Sequence, residues 1–297
     1  MLTFIKMHSV EDVVEMLWAD GPACLVMAGG TDILVRPEPF AGKKILLDIS
    51  DVEELTAIGE NAPGGIRVGA GCTHQEIATH ALITRRARLL GLACGSVGSV
   101  QIRNRGTLGG NLGNASPAGD SIPALACLEA SVEISSRDRR REMPVLELFR
   151  GPGQTDLGFD EVITAVRIPA HPGRTVAFFK KAGQRKGMCC SKASVAFCAR
   201  RRGDGRLTGV RIAMGAVAPS VVRVPEAEQL LEGRAPEPGL VQQVALACSR
   251  QVRAIDDIRS SADYRRKVVG ALLTHGLYEI MDHTSRIEQR RRRRRRR

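Results

Sequence analysis

Aromatic side chains are scarce in this sequence: one Trp, two Tyr and seven Phe among 297 residues. A surface that stacks nucleic-acid bases sets aromatic faces among basic residues, and the body of the chain carries no such stripe. No apolar run reaches the roughly 18–20 residues needed to cross a bilayer. Residues 1–6 lack the basic stretch, apolar core and small-residue cleavage site of a secretory signal. A cytoplasmic protein without nucleic-acid or membrane partners is the expectation. Phosphate and nucleophile motifs are missing as well. G-x-x-x-x-G-K-[ST] and G-x-S-x-G do not occur, and Gly69-Ala70-Gly71-Cys72-Thr73-His74 begins like G-x-G-x-x-G but ends on histidine. A P-loop, a hydrolase elbow and a Rossmann site all lose ground.

Metal-ligand spacing is absent too. The cysteines are Cys24, Cys72, Cys94, Cys127, Cys189, Cys190, Cys198 and Cys248; none forms C-x-x-C and none sits at zinc or iron–sulfur spacing. Most lie in apolar company, as Cys127 does after Ala124-Leu125-Ala126, so they read as buried, reduced thiols acting as small hydrophobes. The formal charge of +12 includes eight consecutive arginines at 290–297, which leaves +4 (12 − 8) on the other 289 residues. An unbroken run of one charge repels itself and stays solvated. That tail is read as disordered or non-native, and a nucleic-acid-binding module built on it is the weaker of two rival readings.

What the chain does have is an α+β pattern with hydrophobic content enough for two domains. The opening reads β-α-β: a helix over residues 10–19 capped by Ser9, then apolar strands at 23–28 and 45–49 suited to a buried parallel sheet. Ser50 is placed as the cap of a turn over 52–55. Residues 65–69 form a strand and 73–79 a helix. Further on, 122–128 is helical, 131–135 and 162–168 are strands, and 169–173 is a linker that divides the chain. Beyond it, 176–181, 194–200 and 207–215 alternate as a small antiparallel sheet with a turn at Gly203-Asp204-Gly205, followed by helices at 224–231, 240–251 and 264–281.

Between these elements, residues 91–120 hold eight of the chain's 31 glycines. A segment so rich in glycine loses much entropy on ordering and packs little, so a ligand that fixes it is the natural reading. Two stretches carry the chemistry. In Met27-Ala28-Gly29-Gly30-Thr31-Asp32-Ile33 a strand ends in paired glycines, whose backbone turns successive N–H groups toward one anion. In Arg103-Asn104-Arg105-Gly106-Thr107-Leu108-Gly109-Gly110-Asn111-Leu112-Gly113-Asn114-Ala115-Ser116-Pro117-Ala118-Gly119-Asp120, glycines alternate with small hydrogen-bonding groups while Leu108 and Leu112 anchor the loop. Pro117 is taken as a first helical residue, which puts Asp120 in the first turn, able to accept from a ribose hydroxyl. His74 reads as a helix-start histidine with a local hydrogen bond. Arg103 and Arg105 are open between offsetting phosphate charge and facing solvent or another subunit.

These stretches, with Val68–Gly69-Ala70-Gly71-Cys72-Thr73-His74, resemble the FAD-binding medium subunit of the xanthine dehydrogenase/carbon monoxide dehydrogenase family of molybdenum hydroxylases. Gly183-Gln184-Arg185-Lys186-Gly187-Met188 and the run from Ile255 to Arg266 resemble that subunit's C-terminal domain. The resemblance implies a vanillyl-alcohol-oxidase (PCMH)-type FAD domain over 1–172, in lobes of about 1–56 and 57–172, and an α+β C-terminal domain over 173–289. It implies that Gly29, Gly30, Thr31, Asp32 and Ile33 form one phosphate loop, and Thr107, Gly109, Gly110, Asn111, Gly113, Asn114 and Asp120 the other. Lys180 falls where the family often has a lysine near the flavin, with Lys181 as the other possible equivalent. No inserted cysteine-rich segment for a [4Fe–4S] cluster is present. The implied function is electron transfer without a catalytic base of its own: electrons come from a molybdopterin-binding large subunit through [2Fe–2S] centres of a small subunit and leave to NAD⁺ or another acceptor. The other rival is a stand-alone FAD-dependent reductase of the same fold.

Overall fold

The computed structural model describes residues 2–35, 38–171, 175–185 and 190–295, the side chains of residue 39 and of those beyond 282 excepted. Strand β1 (Thr3–Lys6), helix α1 (Val10–Asp20), β2 (Cys24–Met27) and β3 (Ile45–Asp48) make a parallel three-stranded sheet in the order β1-β3-β2. The Ser9 hydroxyl accepts from the Asp12 N–H and sets the start of α1. Val13, Val14 and Leu17, spaced for one helix face, are buried there with Leu47 and Leu55.

The second lobe begins with β4 (Ile58–Asn61) and β5 (Gly65–Gly69). It continues through α2 (His74–Thr79), α3 (Ala81–Arg86), α4 (Arg88–Gly95), α5 (Val100–Arg103), α6 (Leu108–Gly113) and α7 (Ser121–Cys127). It closes with β6 (Ser131–Ser135), β7 (Arg140–Pro144), the small hairpin β8 (Phe149–Gly151)–β9 (Gln154–Thr155), and β10 (Val162–Ile168). The antiparallel sheet runs β4-β5-β10-β6-β7, so the last strand returns to its centre. In the C-terminal domain, β11 (Thr175–Ala182), β12 (Ala193–Arg201), β13 (Leu207–Gly215) and β14 (Val222–Arg223) form an antiparallel sheet in chain order. Helices α8 (Pro225–Leu231), α9 (Pro238–Arg250) and α10 (Ala262–Arg295) complete the domain, and their apolar residues share one core with β12 and β13. No helix among the described residues is long and apolar enough to cross a membrane.

The α+β class and most elements agree with the sequence reading; three local differences have physical reasons. Residues 91–120, read as loop, contain α5, α6 and the end of α4, because Ser99 and Thr107 accept from the N–H three residues on. Leu108 and Leu112, one turn apart, are fully buried. The turn over Glu53–Leu55 has Val52 at its cap position and no side-chain cap, since Ser50 N–H instead donates to Asp48 Oδ1 at 3.0 Å. Strands β4 and β7 escaped the sequence reading; β7 is a charged sheet edge whose side chains alternate exposed and half-buried. Of the cysteines, Cys24, Cys72, Cys94, Cys127, Cys198 and Cys248 are buried free thiols, whereas Cys190 is exposed. Lys186, Gly187, Met188 and Cys189, like residues 172 and 173 of the expected linker, lie outside the described residues.

Candidate cofactor-binding site

The two glycine-rich stretches, some 75 residues apart in sequence, meet backbone to backbone. Met27 ends β2, where its carbonyl accepts from Ile49 N–H at 2.8 Å; the chain then turns through Gly29 and through Gly30, whose φ is +70°. A Cβ on Gly29 would overlap the carbonyl of Arg105, so only glycine permits this contact. A Cβ on Gly106 would lie 3.1 Å from Ile102 O, 3.2 Å from Thr31 Oγ1 and 3.3 Å from His74 Cδ2. Among the described residues no hydrogen bond uses the N–H of Gly29, Gly30 or Thr31. Successive unpaired amides at the end of a buried strand are an anion nest.

The second stretch is built differently. Its amides are engaged within the fold: Leu108 N–H to Cys72 O at 3.0 Å, Gly109 N–H to Ala70 O at 2.7 Å, and Asn111 N–H to Thr107 O at 3.0 Å. Gly110 N–H donates to Thr107 Oγ1 at 3.1 Å. Gly109 is required by packing, since a Cβ there would come 2.6 Å from that of Ala70, while a Cβ on Gly113 would meet nothing within 4 Å. Loop 2 therefore offers shape, a close and side-chain-free surface, where loop 1 offers free donors. Asn111 Oδ1 accepts from Ser121 Oγ at 2.7 Å, which ties α6 to the start of α7.

Asp120 does not stand in a first helical turn. Helix α7 starts one residue later, and Asp120 caps it by position without a side-chain cap bond. Its carboxylate is buried, with Oδ2 accepting from Lys181 Nζ and Oδ1 from Ser191 Oγ, both at 2.6 Å. Burial raises its pKa above the usual carboxylate value, against the opposing pull of Lys181, Ser191 and Ser96. Both oxygens thus accept hydrogen bonds from the C-terminal domain. Lys180 is not brought to this network. Neighbouring residues on β11 point to opposite faces, so Lys181 reaches Asp120 while Lys180 pairs with Glu279 of α10 at 2.6 Å.

Of three further contributors, Ser191 and Ala216 were not legible in the sequence, and Lys181 was there only as the alternative to Lys180. Ser191 and Lys181 come from the C-terminal domain, and Ala216, in the left-handed region at φ 60°, donates its N–H to Pro117 O at 2.7 Å. Loop 2 is therefore clasped from the far side. Arg103 is tied into the fold: its Nε donates to Gln75 Oε1 and its Nη1 to Val97 O, both at 3.1 Å. At α2 the capping box is made by Thr73 and Glu76. His74 gives only its backbone N–H, to Gly106 O at 2.9 Å. The local side-chain bond expected of His74 is absent among the described residues, and its Nδ1 is buried without a partner. Burial first, and Arg103 second, push its pKa down to about 4.

A side-chain-free crossing, a nest of unpaired amides and an open face at Gly113 fit the charged middle of a dinucleotide, and define a nucleotide-cofactor protein of α+β build. Residues 1–171 match the family described as FAD binding domain in molybdopterin dehydrogenase, and residues 177–280 match the CO dehydrogenase flavoprotein C-terminal domain. The nicotine 6-hydroxylase medium subunit of Paenarthrobacter nicotinovorans is 31% identical over 272 residues, covering 91% of this chain and 94% of its own length. The glyceraldehyde dehydrogenase medium chain of Sulfolobus acidocaldarius is 28% identical, with 94% and 98% covered. Among solved structures, a carbon monoxide dehydrogenase from Hydrogenophaga pseudoflava, lacking the Mo-pyranopterin moiety of its cofactor, superposes with a TM-score of 0.87 at 28% identity over 93% of this chain and 96% of that one. The chain belongs to the FAD-binding family of molybdopterin dehydrogenases; it is an oxidoreductase flavoprotein and FAD is its cofactor.

Proposed function

We propose that this chain is the flavin-bearing subunit of a complex whose large subunit holds molybdopterin and whose small subunit carries [2Fe–2S] centres, with NAD⁺ or another acceptor as the final oxidant, in the cytoplasm. Residues 1–172, in two lobes divided near residue 56, are its FAD domain, and 173–289 its C-terminal domain. Gly29, Gly30, Thr31, Asp32 and Ile33 hold one side of the diphosphate. Thr107, Gly109, Gly110, Asn111, Gly113 and Asn114 line the other, with Asp120 and Lys181 fixing that loop from behind. FAD, when bound, supplies a centre able to exchange electrons singly with clusters and in pairs with a nicotinamide. The chain's own residues bind, orient and shield; no proton donor on this chain is called for. The observation that carries the reading is the contact of Gly29 with the Arg105 carbonyl, which brings free amides and a bare second loop to one place. That the relatives are themselves medium subunits or chains supports a complex over a stand-alone reductase.

The test is the absorption spectrum of the purified full chain, with mass identification of the released flavin, followed by copurification from its native cell. Bound FAD and a retained molybdenum protein are expected. A colourless chain that refuses added FAD would sink the site; a yellow chain that travels alone would favour the reductase.

A further inference from the structure

His74 stands where the two loops cross, and its side chain has no evident duty in the fold. Thr73 caps α2, and the His74 backbone alone reaches Gly106. The residue is 2% exposed, and Nδ1 is sealed off with no partner. The second ring nitrogen, Nε2, also lacks a partner among the described residues, yet it is not among the sealed orphan atoms, so it keeps a path to the surface. The adjoining Cδ2 shows where that path leads: one point, the position of a Cβ on Gly106, lies 3.3 Å from Cδ2 and 3.2 Å from Thr31 Oγ1. The Cδ2 side of the ring therefore lies against Gly106 at the loop crossing, beside the hydroxyl of Thr31 in loop 1.

The ring is neutral near pH 7, because burial and Arg103 hold its pKa at about 4, so it carries a single proton. Buried N–H groups without acceptors are rarer than under-satisfied acceptors. Placing the proton on Nε2 leaves the sealed Nδ1 as the bare nitrogen, and this is the tautomer we assign. A neutral donor aimed into a nest of amide donors calls for an anionic oxygen.

We propose that the Nε2–H of His74 is a further hydrogen-bond donor to the FAD diphosphate, added to the amides of loop 1. This rests on the reading of the two loops as the FAD cradle. The test uses the full chain, stripped of flavin and titrated with FAD. His74→Phe, which fills the same space without the donor, weakens FAD binding by about 10- to 100-fold, the worth of one hydrogen bond to a charged group. His74→Gln, whose amide nitrogen reaches roughly the place of Nε2, recovers affinity to within about threefold of the original residue. Thermal unfolding of the flavin-free variants stays level, separating lost binding from lost folding. As an arm needing no variant, added inorganic pyrophosphate shifts the His74 Nε2–H signal in ¹⁵N spectra of the flavin-free chain. Wild-type affinity in the Phe variant, a Gln variant no better than Phe, or an unmoved imidazole signal overturns the assignment. If the unaltered chain itself fails to take FAD, the cradle falls and His74's role falls with it.

Discussion

At the scale of single residues, the glycines that look alike in sequence do three different jobs. Gly29 allows the loops to touch, Gly109 makes room for Ala70, and Gly113 leaves an open surface. Gly109→Ala therefore strains the flavin-free fold, costing about 1–3 kcal/mol of stability by overpacking, read as a lower midpoint in denaturant. Gly113→Leu leaves that midpoint nearly unchanged, since the space it fills is open, and lowers FAD content instead if loop 2 lines the diphosphate as proposed. Equal stability losses in both variants would argue that loop 2 lines no ligand. His74 contributes at this scale too. Its pKa is about 6.5 when unfolded and about 4 when folded, so the unfolded chain binds the extra proton between those values. Stability is full above about pH 6.5 and falls as pH drops toward 4, by roughly 3 kcal/mol. Denaturation at pH 7 and pH 4.5 checks this, with His74→Phe losing correspondingly less.

At the scale of elements, propensity and packing contend most visibly in α6. Four of its six residues are glycine or asparagine, which score poorly as helix, yet Thr107 caps it and Leu108 and Leu112 bury fully beneath it. Tertiary packing overrides the glycine penalty of about 1 kcal/mol per residue. The segment was legible as a ligand-facing stretch but not as a helix for that reason. Helix α10 presents the opposite case, an apolar face plain in the sequence and set down at close quarters. Its Gly276 lies against the ring of Phe178, which stacks on Phe197 with centroids 5.0 Å apart. Gly276→Ala gains helix propensity but forces that ring aside. The expected result is a net loss of about 1–3 kcal/mol in chemical denaturation, with α10 lifting from β11 and flavin affinity little altered.

At the scale of the whole molecule, the two domains share a core and one buried ion pair. Ala196, Cys198 and Ala213 of the C-terminal sheet belong to the same apolar cluster as Leu125 and Cys127 of α7. The thiol of Cys198 donates to Cys127 O at 3.2 Å, and Cys127 Sγ to Ala196 O at 3.4 Å. Burial pushes the Cys127 thiol well above its ordinary pKa, consistent with the inert thiols read from the sequence. Lys181 crosses the same boundary to Asp120. Lys181→Met strands a carboxylate that is 6% exposed, and removing one partner of a buried pair costs about 3–5 kcal/mol. The loss at pH 7 should shrink on acidification, because Asp120, its pKa raised by burial, then escapes the penalty by taking a proton. Urea unfolding at pH 7 and pH 5 measures both quantities. A deficit that stays constant across that range would mean that Asp120 is not the group left stranded.

The sequence by itself determined the periodic elements and the composition of the two loops, because helix caps, strand alternation and glycine content are local properties that neighbours in the chain express together. It determined the family as well, since those loops carry specific residues in a fixed order. Only the tertiary structure decided which glycine meets which carbonyl, that Lys181 rather than Lys180 reaches Asp120, and that the His74 ring is buried beside Gly106. Each of those depends on the distance between segments far apart in the chain and on which face of a strand or ring points inward, quantities that no local pattern encodes.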